Sequence, residues 1–260
     1  MNRDDALVLS RQPSIADESA AWRDVERLDP QLLAAHKQLT DAAWCGGPLE
    51  PRLRALVLVA AEAVLGGIDP ATLRTAVRNA LDAGASVEEI TDVVALVSIL
   101  GIHTIVMASP ILAEELETIG QHPEPVAPDR SAQVRADFER RRGYWSPLWD
   151  AVNMSCPEFL AAYLDYSSIP AERGTLSAKE RELVLVVANS VTTHLNPDGM
   201  RVHLRNALAL GATSAELMHV FQLLATIGFR TVTTALPLLA NEASLQERHP
   251  TTPSASTSRC

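Results

Sequence analysis

The sequence has few of the residues on which several protein classes depend. Its 260 residues include 3 cysteines, 12 glycines and only 4% aromatic residues. Cys45, Cys156 and Cys260 lie too far apart for a CxxC motif or a metal knuckle, and an odd, sparse set fits a reducing compartment. The scarcity of glycine argues against the many tight turns of an all-β domain.

Basic residues are also scarce relative to acidic ones. The chain has 22 lysines and arginines against 32 aspartates and glutamates, which gives a net charge of −10. A general nucleic-acid binder needs a basic surface to displace counterions, so the acidic balance argues against this class. The first residues contain no long apolar core and make a poor signal peptide. We therefore expect a cytoplasmic protein with no nucleic-acid partner.

One apolar run is long enough to be considered as a membrane span. From Val93 to Leu112 only His103 can carry a charge, and about 20 such residues suffice to span a bilayer. Gly101, Ser109 and Pro110 interrupt the run. We therefore predict two buried core helices that join near Gly101, and no membrane partner.

The residues that the chain does have in abundance form helices and repeat themselves. Hydrophobic residues make up 47% of the chain, mostly alanine, leucine and valine, which predicts an all-α fold. When the sequence is shifted by 127 residues, about a third of the positions from Trp22 to Leu116 are identical. Arg78-Asn79-Ala80-Leu81, for example, falls on Arg205-Asn206-Ala207-Leu208. The chain is therefore interpreted as a duplication.

The duplication predicts the domain organisation. We expect a first helical repeat over residues 1–117, a proline-rich linker over 118–131, a second repeat over 132–247 and a disordered tail over 248–260. The two repeats are expected to pack as one pseudo-symmetric unit. In the second repeat Ser177 and Glu180 form a predicted capping box, Pro197 begins a helix and Gly211 ends it.

The differences between the repeats single out candidate catalytic residues. Ala55 corresponds to Glu182, and Ala76 corresponds to His203. An imidazole at the rim of a core, with a carboxylate on a neighbouring helix, is how a general base is usually assembled. The alternative is that His203 is a hydrogen-bonded boundary residue and Glu182 a surface charge. Residue types alone leave both interpretations open.

Four further residues change type between the repeats or lie in the loop before His203. Arg230 replaces His103 and could hold a substrate carboxylate, although it could also cap a helix or form an ion pair. His194 and Asn196 lie in the loop and are candidate substrate-binding residues, but their spacing with His203 fits no metal motif. His219 replaces Asp92 on a face predicted to be exposed.

The second repeat resembles the carboxymuconolactone decarboxylase family. The matching residues are Arg181-Glu182-Leu183, the string from His203 to Thr213, and Glu216-Leu217. The resemblance implies an all-α fold that assembles as trimers or hexamers of the single unit, so a two-repeat chain is expected to form a trimer. The family also includes thiol-dependent peroxide reductases of the alkyl-hydroperoxidase D type.

The departures from this pattern restrict the expected function. The peroxidase branch has CxxC before the family histidine, where this chain has Asn196 and Gly199, so thiol peroxidase activity is not expected. The first repeat lacks both ionisable residues, while its Glu62 and His103 have no assigned role.

The resemblance implies an acid–base enzyme that needs no cofactor or metal. It would decarboxylate a small carboxylated lactone or keto compound through His203 and Glu182, with Arg230 holding a carboxylate. Lyase, isomerase or cyclase chemistry on another small metabolite is an alternative, and so is a non-catalytic ligand-binding scaffold.

Overall fold

The computed structural model describes residues 20–122 and 126–248, and this part of the chain is helical without a strand. The all-α prediction is therefore confirmed. The helices are α1 (Ala20–Leu28), α2 (Pro30–Cys45), α3 (Pro51–Glu62), α4 (Pro70–Asp82), α5 (Val87–Ser98), α6 (Ile102–Thr118), α7 (Pro128–Arg142), α8 (Asp150–Ser155), α9 (Pro157–Arg173), α10 (Ala178–Ser190), α11 (Pro197–Ala209), α12 (Ser214–Ala225) and α13 (Arg230–Arg248). Short 3-10 segments precede α6, α8 and α13.

Local sequence signals explain where these helices begin and end. Six of them begin with a proline, which has no N–H to lose at that position. Ser177 and Glu180 form the predicted capping box, and the side chain of Asn196 caps α11. Gly211 follows α11 with a φ of 86°, a left-handed conformation that glycine adopts without a steric penalty. The helix boundaries predicted within the second repeat, at Ser177, Pro197 and Gly211, are confirmed.

The chain divides into two compact units, which are described separately. The central unit is Glu50–Leu217, and the terminal unit combines Met1–Leu49 with Met218–Cys260, so the boundary falls within α12. The repeat limits at residues 117 and 131 stay predictions about the duplication, although helix α7 already begins at Pro128. The predicted tail over 248–260 lies outside the described residues apart from Arg248, which ends α13.

The central unit is built around two helices that occupy equivalent positions in the predicted repeats. α3 packs against α4, α5 and α10, while α10 also packs against α5 and α11. Their fully buried faces carry leucine and valine side chains: Leu56, Val57 and Val59 in α3, and Leu183, Val184, Val186 and Val187 in α10. A second apolar cluster joins α7, α8 and α9. Burial of these side chains supplies the main force that holds the unit together.

In the terminal unit, the prediction that His219 is exposed is wrong. This side chain is completely buried, its Nδ1 accepts the Leu49 backbone N–H at 3.1 Å, and its Nε2 donates to the Ala43 carbonyl at 2.9 Å. The missing side chain of Gly47 makes room for the ring, since a Cβ there would lie 2.2 Å from His219 Cγ. The imidazole thus satisfies two backbone groups in the interior.

The central unit contains the counterpart of this contact at the 127-residue spacing. The Leu176 backbone N–H, equivalent to that of Leu49, donates to the Asp92 carboxylate at 3.3 Å, and Asp92 is equivalent to His219. A Cβ on Gly174, the equivalent of Gly47, would lie 2.6 Å from the same carboxylate. A glycine and a backbone donor therefore face a polar side chain in both places, which supports the interpretation of the chain as a duplication.

The apolar run around His103 is only partly buried. It consists of α5 and α6 joined by a 3-10 segment, Ile99–Gly101, so the junction predicted near Gly101 is confirmed. The expectation that both helices are buried is wrong for α6, because Met107, Ile111 and Leu112 are 58 to 60% exposed. By length and composition alone, Val87–Thr118 and Ser214–Arg248 could each cross a membrane, which is weak evidence by itself. The absence of a membrane partner stays a prediction.

Candidate active site

The candidate site lies in the central unit where α10, α11, the loop between them and the start of α6 meet. α10 is fixed by its capping box and by the buried run from Leu183 to Asn189. Glu182 immediately precedes this run and is half-buried. The loop turns back through a hydrogen bond from the His194 N–H to the Val191 carbonyl, at 2.8 Å. α11 then returns alongside α10 and carries His203.

Glu182 and His203, singled out by comparison of the repeats, are in contact. Glu182 Oε2 lies 2.8 Å from His203 Nδ1, and the two side chains are 18% and 20% exposed. A carboxylate at this distance holds the Nδ1 proton and orients the ring, which leaves Nε2 as the basic nitrogen. The equivalent residues of the first repeat, Ala55 and Ala76, are buried small side chains. The pair is thus able to accept and return a proton.

Asn196 connects the loop to the helix that carries His203. Its backbone N–H donates to the Asn189 carbonyl at 3.0 Å, and its Oδ1 accepts the Gly199 N–H at 3.2 Å as the cap of α11. Because the side-chain oxygen accepts the Gly199 N–H, the amide nitrogen is the atom that faces His103, 3.4 Å from the Nδ1 of that ring. Asn196 therefore offers an N–H donor to the site.

His103 and His194 form a second pair of imidazoles. His103 Nδ1 lies 2.7 Å from His194 Nε2, and the rings stack with centroids 4.9 Å apart and an angle of 10° between their planes. One of the two nitrogens carries the proton that joins them, and the other accepts it. Burial first, then the neighbouring His194 and His203, lowers the pKa of His103 to about 4. Asn196, which caps the helix that carries His203 and lies 3.4 Å from His103 Nδ1, links this pair to the first one.

The charges of Arg142, the last residue of α7, and of Glu182 both act on Tyr144, which follows α7. Burial raises the pKa of Tyr144, Arg142 opposes that effect, and the charge of Glu182 adds to it. The Arg142 guanidinium donates to Ser167 Oγ at 2.6 Å. Its buried Nε has no hydrogen-bond partner among the described residues. A fixed positive charge thus lies in the same unit as the Glu182–His203 pair.

The fifth predicted site residue, Arg230, belongs to the terminal unit. It is the first residue of α13 and is half-buried, and burial lowers its pKa from the ordinary value. His203, Glu182, His194 and Asn196 all lie in the central unit. A role for Arg230 in binding substrate stays a prediction.

The positions at which related peroxidases have cysteines hold structural residues here. Asn196 caps α11, and Gly199 donates the N–H that Asn196 accepts. A Cβ on Gly199 would lie 2.2 Å from Asn189 Oδ1, so any side chain there requires neighbouring atoms to move. In the described part of the chain, Cys45 and Cys156 are free, and no three histidine, cysteine or acidic side chains are placed to hold a metal ion.

Sequence reasoning missed His103 as a site residue. It comes from the first repeat and meets His194 across 91 positions of sequence, a separation that periodicity does not reveal. The available signal was that His103 is the sole ionisable residue in a run of 20 apolar positions and the counterpart of Arg230. Glu62, the other unassigned residue, is buried at the end of α3.

Fold and site together define an all-α protein with a carboxylate–imidazole pair beside a second pair of imidazoles. The sequence profile of the carboxymuconolactone decarboxylase family matches residues 157–241, which lie in the predicted second repeat. A crystal structure from Burkholderia xenovorans, named as a gamma-carboxymuconolactone decarboxylase subunit, is similar with a TM-score of 0.82. It is 33% identical, and the match covers 89% of this chain and 92% of that one. No curated protein matches the sequence. The chain belongs to the carboxymuconolactone decarboxylase family.

Proposed function

We propose that the protein is an acid–base enzyme that decarboxylates a small carboxylated lactone or keto compound. The observation that carries this proposal is the 2.8 Å contact between Glu182 and His203, which supplies a proton-transfer group of fixed orientation in a partly enclosed site. Family membership supports decarboxylase-like chemistry in general. The substrate class and the roles of the residues are the parts we propose.

The mechanism requires a carbonyl next to the carbon that loses its carboxylate. When the bond to the carboxylate breaks, carbon dioxide leaves and the bonding electrons move into the carbonyl to form an enolate. The protonated His203 then delivers a proton to the carbon, and the electrons return from oxygen. Glu182 stabilises the imidazolium that exists before this transfer, since opposite charges at 2.8 Å attract strongly where water is partly excluded.

Turnover by a His203→Gln variant tests the proposal. Purified protein is incubated with a panel of carboxylated lactones and β-keto acids while carbon dioxide release is measured. Loss of the proton donor is expected to lower the rate about 10²-fold to 10⁴-fold. His122→Gln serves as the matched control, because His122 is exposed and lies outside the site. Undiminished turnover in His203→Gln would refute the assignment.

Deuterium exchange distinguishes the related isomerase chemistry. The same His203–Glu182 pair could move a proton between carbons without loss of a carboxylate. Incubation of the panel in deuterated water, followed by mass spectrometry, would show deuterium in the recovered substrate or its isomer. Exchange without carbon dioxide release would replace decarboxylation by isomerisation as the proposed reaction.

We also propose that three chains associate into a trimer. Exposed apolar side chains support association: Ile111 and Leu112 in α6, and at the equivalent positions Leu238 and Leu239 in α13, are 56 to 63% exposed. Contiguous exposed apolar surface commonly marks an interaction site.

A further inference from the structure

We propose that His103, His194 and Asn196 bind the carboxylate of the substrate, and that the two imidazoles take up one proton as the carboxylate arrives. This inference rests on the proposed function, whose substrates carry a carboxylate. It assigns to His103 a role that comparison of the repeats left open. It also makes the first repeat a contributor to the site in the second.

The three side chains present hydrogen-bond donors and no acid. Asn196 uses its oxygen to cap α11, so only its amide nitrogen is available to a ligand. The two imidazoles share one proton across 2.7 Å, which leaves one outward nitrogen on each ring. None of the three groups carries a negative charge, but one outward nitrogen of the neutral pair is unprotonated and presents its lone pair to an incoming carboxylate. Binding of a neutral pair to an anion also leaves the anion's charge uncompensated in a half-buried place.

Uptake of a proton by the imidazole pair balances the negative charge of the bound carboxylate. Protonation of the pair makes both outward nitrogens donors, because the four ring nitrogens then carry three protons, of which one bridges the rings and two point outward. Without a ligand, burial and the two neighbouring histidines hold the pKa of His103 near 4, so the His103 ring is neutral at pH 7. A bound carboxylate reverses part of this effect, since an opposite charge within hydrogen-bond distance favours the protonated form.

The titratable groups around the His103–His194 pair do not supply a negative charge to balance an added proton. His194 and His203 both oppose a positive charge on His103. Glu182 already accepts from His203 Nδ1 at 2.8 Å. α6 also packs against α8, where the one acidic side chain, Asp150, accepts from Trp145 Nε1 at 2.8 Å. The charge that pairs with a proton on His103 must therefore come with the ligand.

The pH dependence of carboxylate affinity distinguishes this imidazole site from a site built on an arginine. If the bound carboxylate raises the pKa of the pair, affinity is greatest at low pH and falls as pH rises towards the raised value. The fall is up to about tenfold per pH unit when one full proton is taken up. A guanidinium such as that of Arg142 keeps its charge throughout, so binding there would not depend on pH in this range.

Binding of levulinate, a small keto acid, to the full-length protein tests the proposal. Isothermal titration calorimetry is run between about pH 6 and about pH 8, above the isoelectric point of 5.2, in two buffers of different ionisation enthalpy. Methyl levulinate has the same chain without the charge and serves as the ligand control. The variants are His103→Gln, His203→Gln and the exposed His122→Gln, with circular dichroism to confirm folding.

We expect the wild type and His122→Gln to bind levulinate more tightly than the ester, with proton uptake and a dissociation constant about twofold or more higher at pH 8 than at pH 6. His203→Gln should keep this pH dependence while losing turnover, and a folded His103→Gln should lose it. Affinity that is independent of pH in the wild type, equal affinity for the ester, or no binding of levulinate would overturn the carboxylate site. None of these results would affect the turnover test of His203, so the two proposals fail separately.

Discussion

At the scale of single residues, the carboxylate of Glu182 determines what His203 can do. Glu182→Gln keeps the size of the side chain but removes the charge that stabilises an imidazolium 2.8 Å away. We expect kcat to fall about 10²-fold or more, since the transition state depends on that charge. Steady-state kinetics on the substrate found in the decarboxylation screen measures the effect. If Glu182→Gln matched the rate of the wild type, Glu182 would have no more than a structural role.

Gly199 is a second residue whose role follows from its surroundings. A methyl group on this residue would meet Asn189 Oδ1 at 2.2 Å inside the central unit. Gly199→Ala is therefore expected to lower the free energy of unfolding by about 1 to 3 kcal/mol, as overpacking does elsewhere. Denaturant unfolding measures this difference.

Gly101→Ala is the matched control for Gly199→Ala. An added Cβ on Gly101 would have no atom within 4 Å, and its φ of −54° suits any residue. Its substitution should leave stability unchanged or raise it by about 0.4 to 1 kcal/mol through the unfolded state. Equal loss in both variants would show that the contact with Asn189 does not explain the effect of a side chain at Gly199.

Three histidines show how much of the site the sequence could predict. His203 was found because its counterpart is alanine and because its partner Glu182 lies only 21 residues away on the preceding helix. His103 was missed because its partner His194 belongs to the other repeat. His219 was placed on the surface because helical periodicity does not record that Gly47, 172 positions earlier, leaves room for a ring. Local pattern identifies helix faces, whereas contacts between distant segments decide which polar groups are buried.

At the scale of helices, the sequence predicts boundaries well because the signals are local. Proline at the first position, Ser177 with Glu180, and Gly211 all act within one turn of the helix they begin or end. Thr213 and Glu216 make the same reciprocal pair before α12, with the Thr213 N–H donating to the carboxylate at 2.7 Å. The burial of a helix depends on its neighbours, and for α6 this was predicted wrongly.

The ion pair at the start of α12 gives a prediction about pH. Lys179 lies 2.8 Å from Glu216, and this contact, together with the donors of Thr213, holds the pKa of Glu216 below its ordinary value of 4.5. A lowered carboxylate pKa stabilises the fold above the unfolded value, and the effect is lost as pH falls through the folded value. Lys179→Met should therefore lower stability by up to about 1 kcal/mol at pH 7 and by less at acidic pH.

Unfolding by urea at about pH 7 and about pH 4 measures this difference. The other lysine of the chain, Lys37, is exposed on α2 and provides the control variant Lys37→Met. We expect that variant to match the wild type at both values. A constant difference between Lys179→Met and the wild type across the two values would show that the lysine acts through packing of its hydrocarbon stem and not through Glu216.

At the scale of the whole molecule, the two predicted repeats contribute different residues to the candidate site. Both contain the same helix signals, and a contact between a glycine, a backbone N–H and a polar side chain joins one predicted repeat to the other, as Gly47 and Leu49 do with His219. Only the second contains the Glu182–His203 pair, and the family profile matches that repeat. His103 is the first repeat's contribution to the site. In the proposed function, the second predicted repeat thus carries the catalytic pair, and the first supplies a residue that binds the substrate.

The exposed apolar side chains of α6 and α13 lead to a prediction about assembly. Substitution of Leu112 and its equivalent Leu239 by glutamate places charges where burial between chains is proposed, and a buried unpaired charge is costly. Light scattering after size exclusion should give three times the 28.1 kDa mass of one chain for the wild type and a smaller assembly for the double variant. Val126→Glu, at an apolar residue 73% exposed before α7, should leave the trimer intact. A wild-type monomer that sediments with phospholipid vesicles would instead show that these stretches face a membrane, which their length and composition permit.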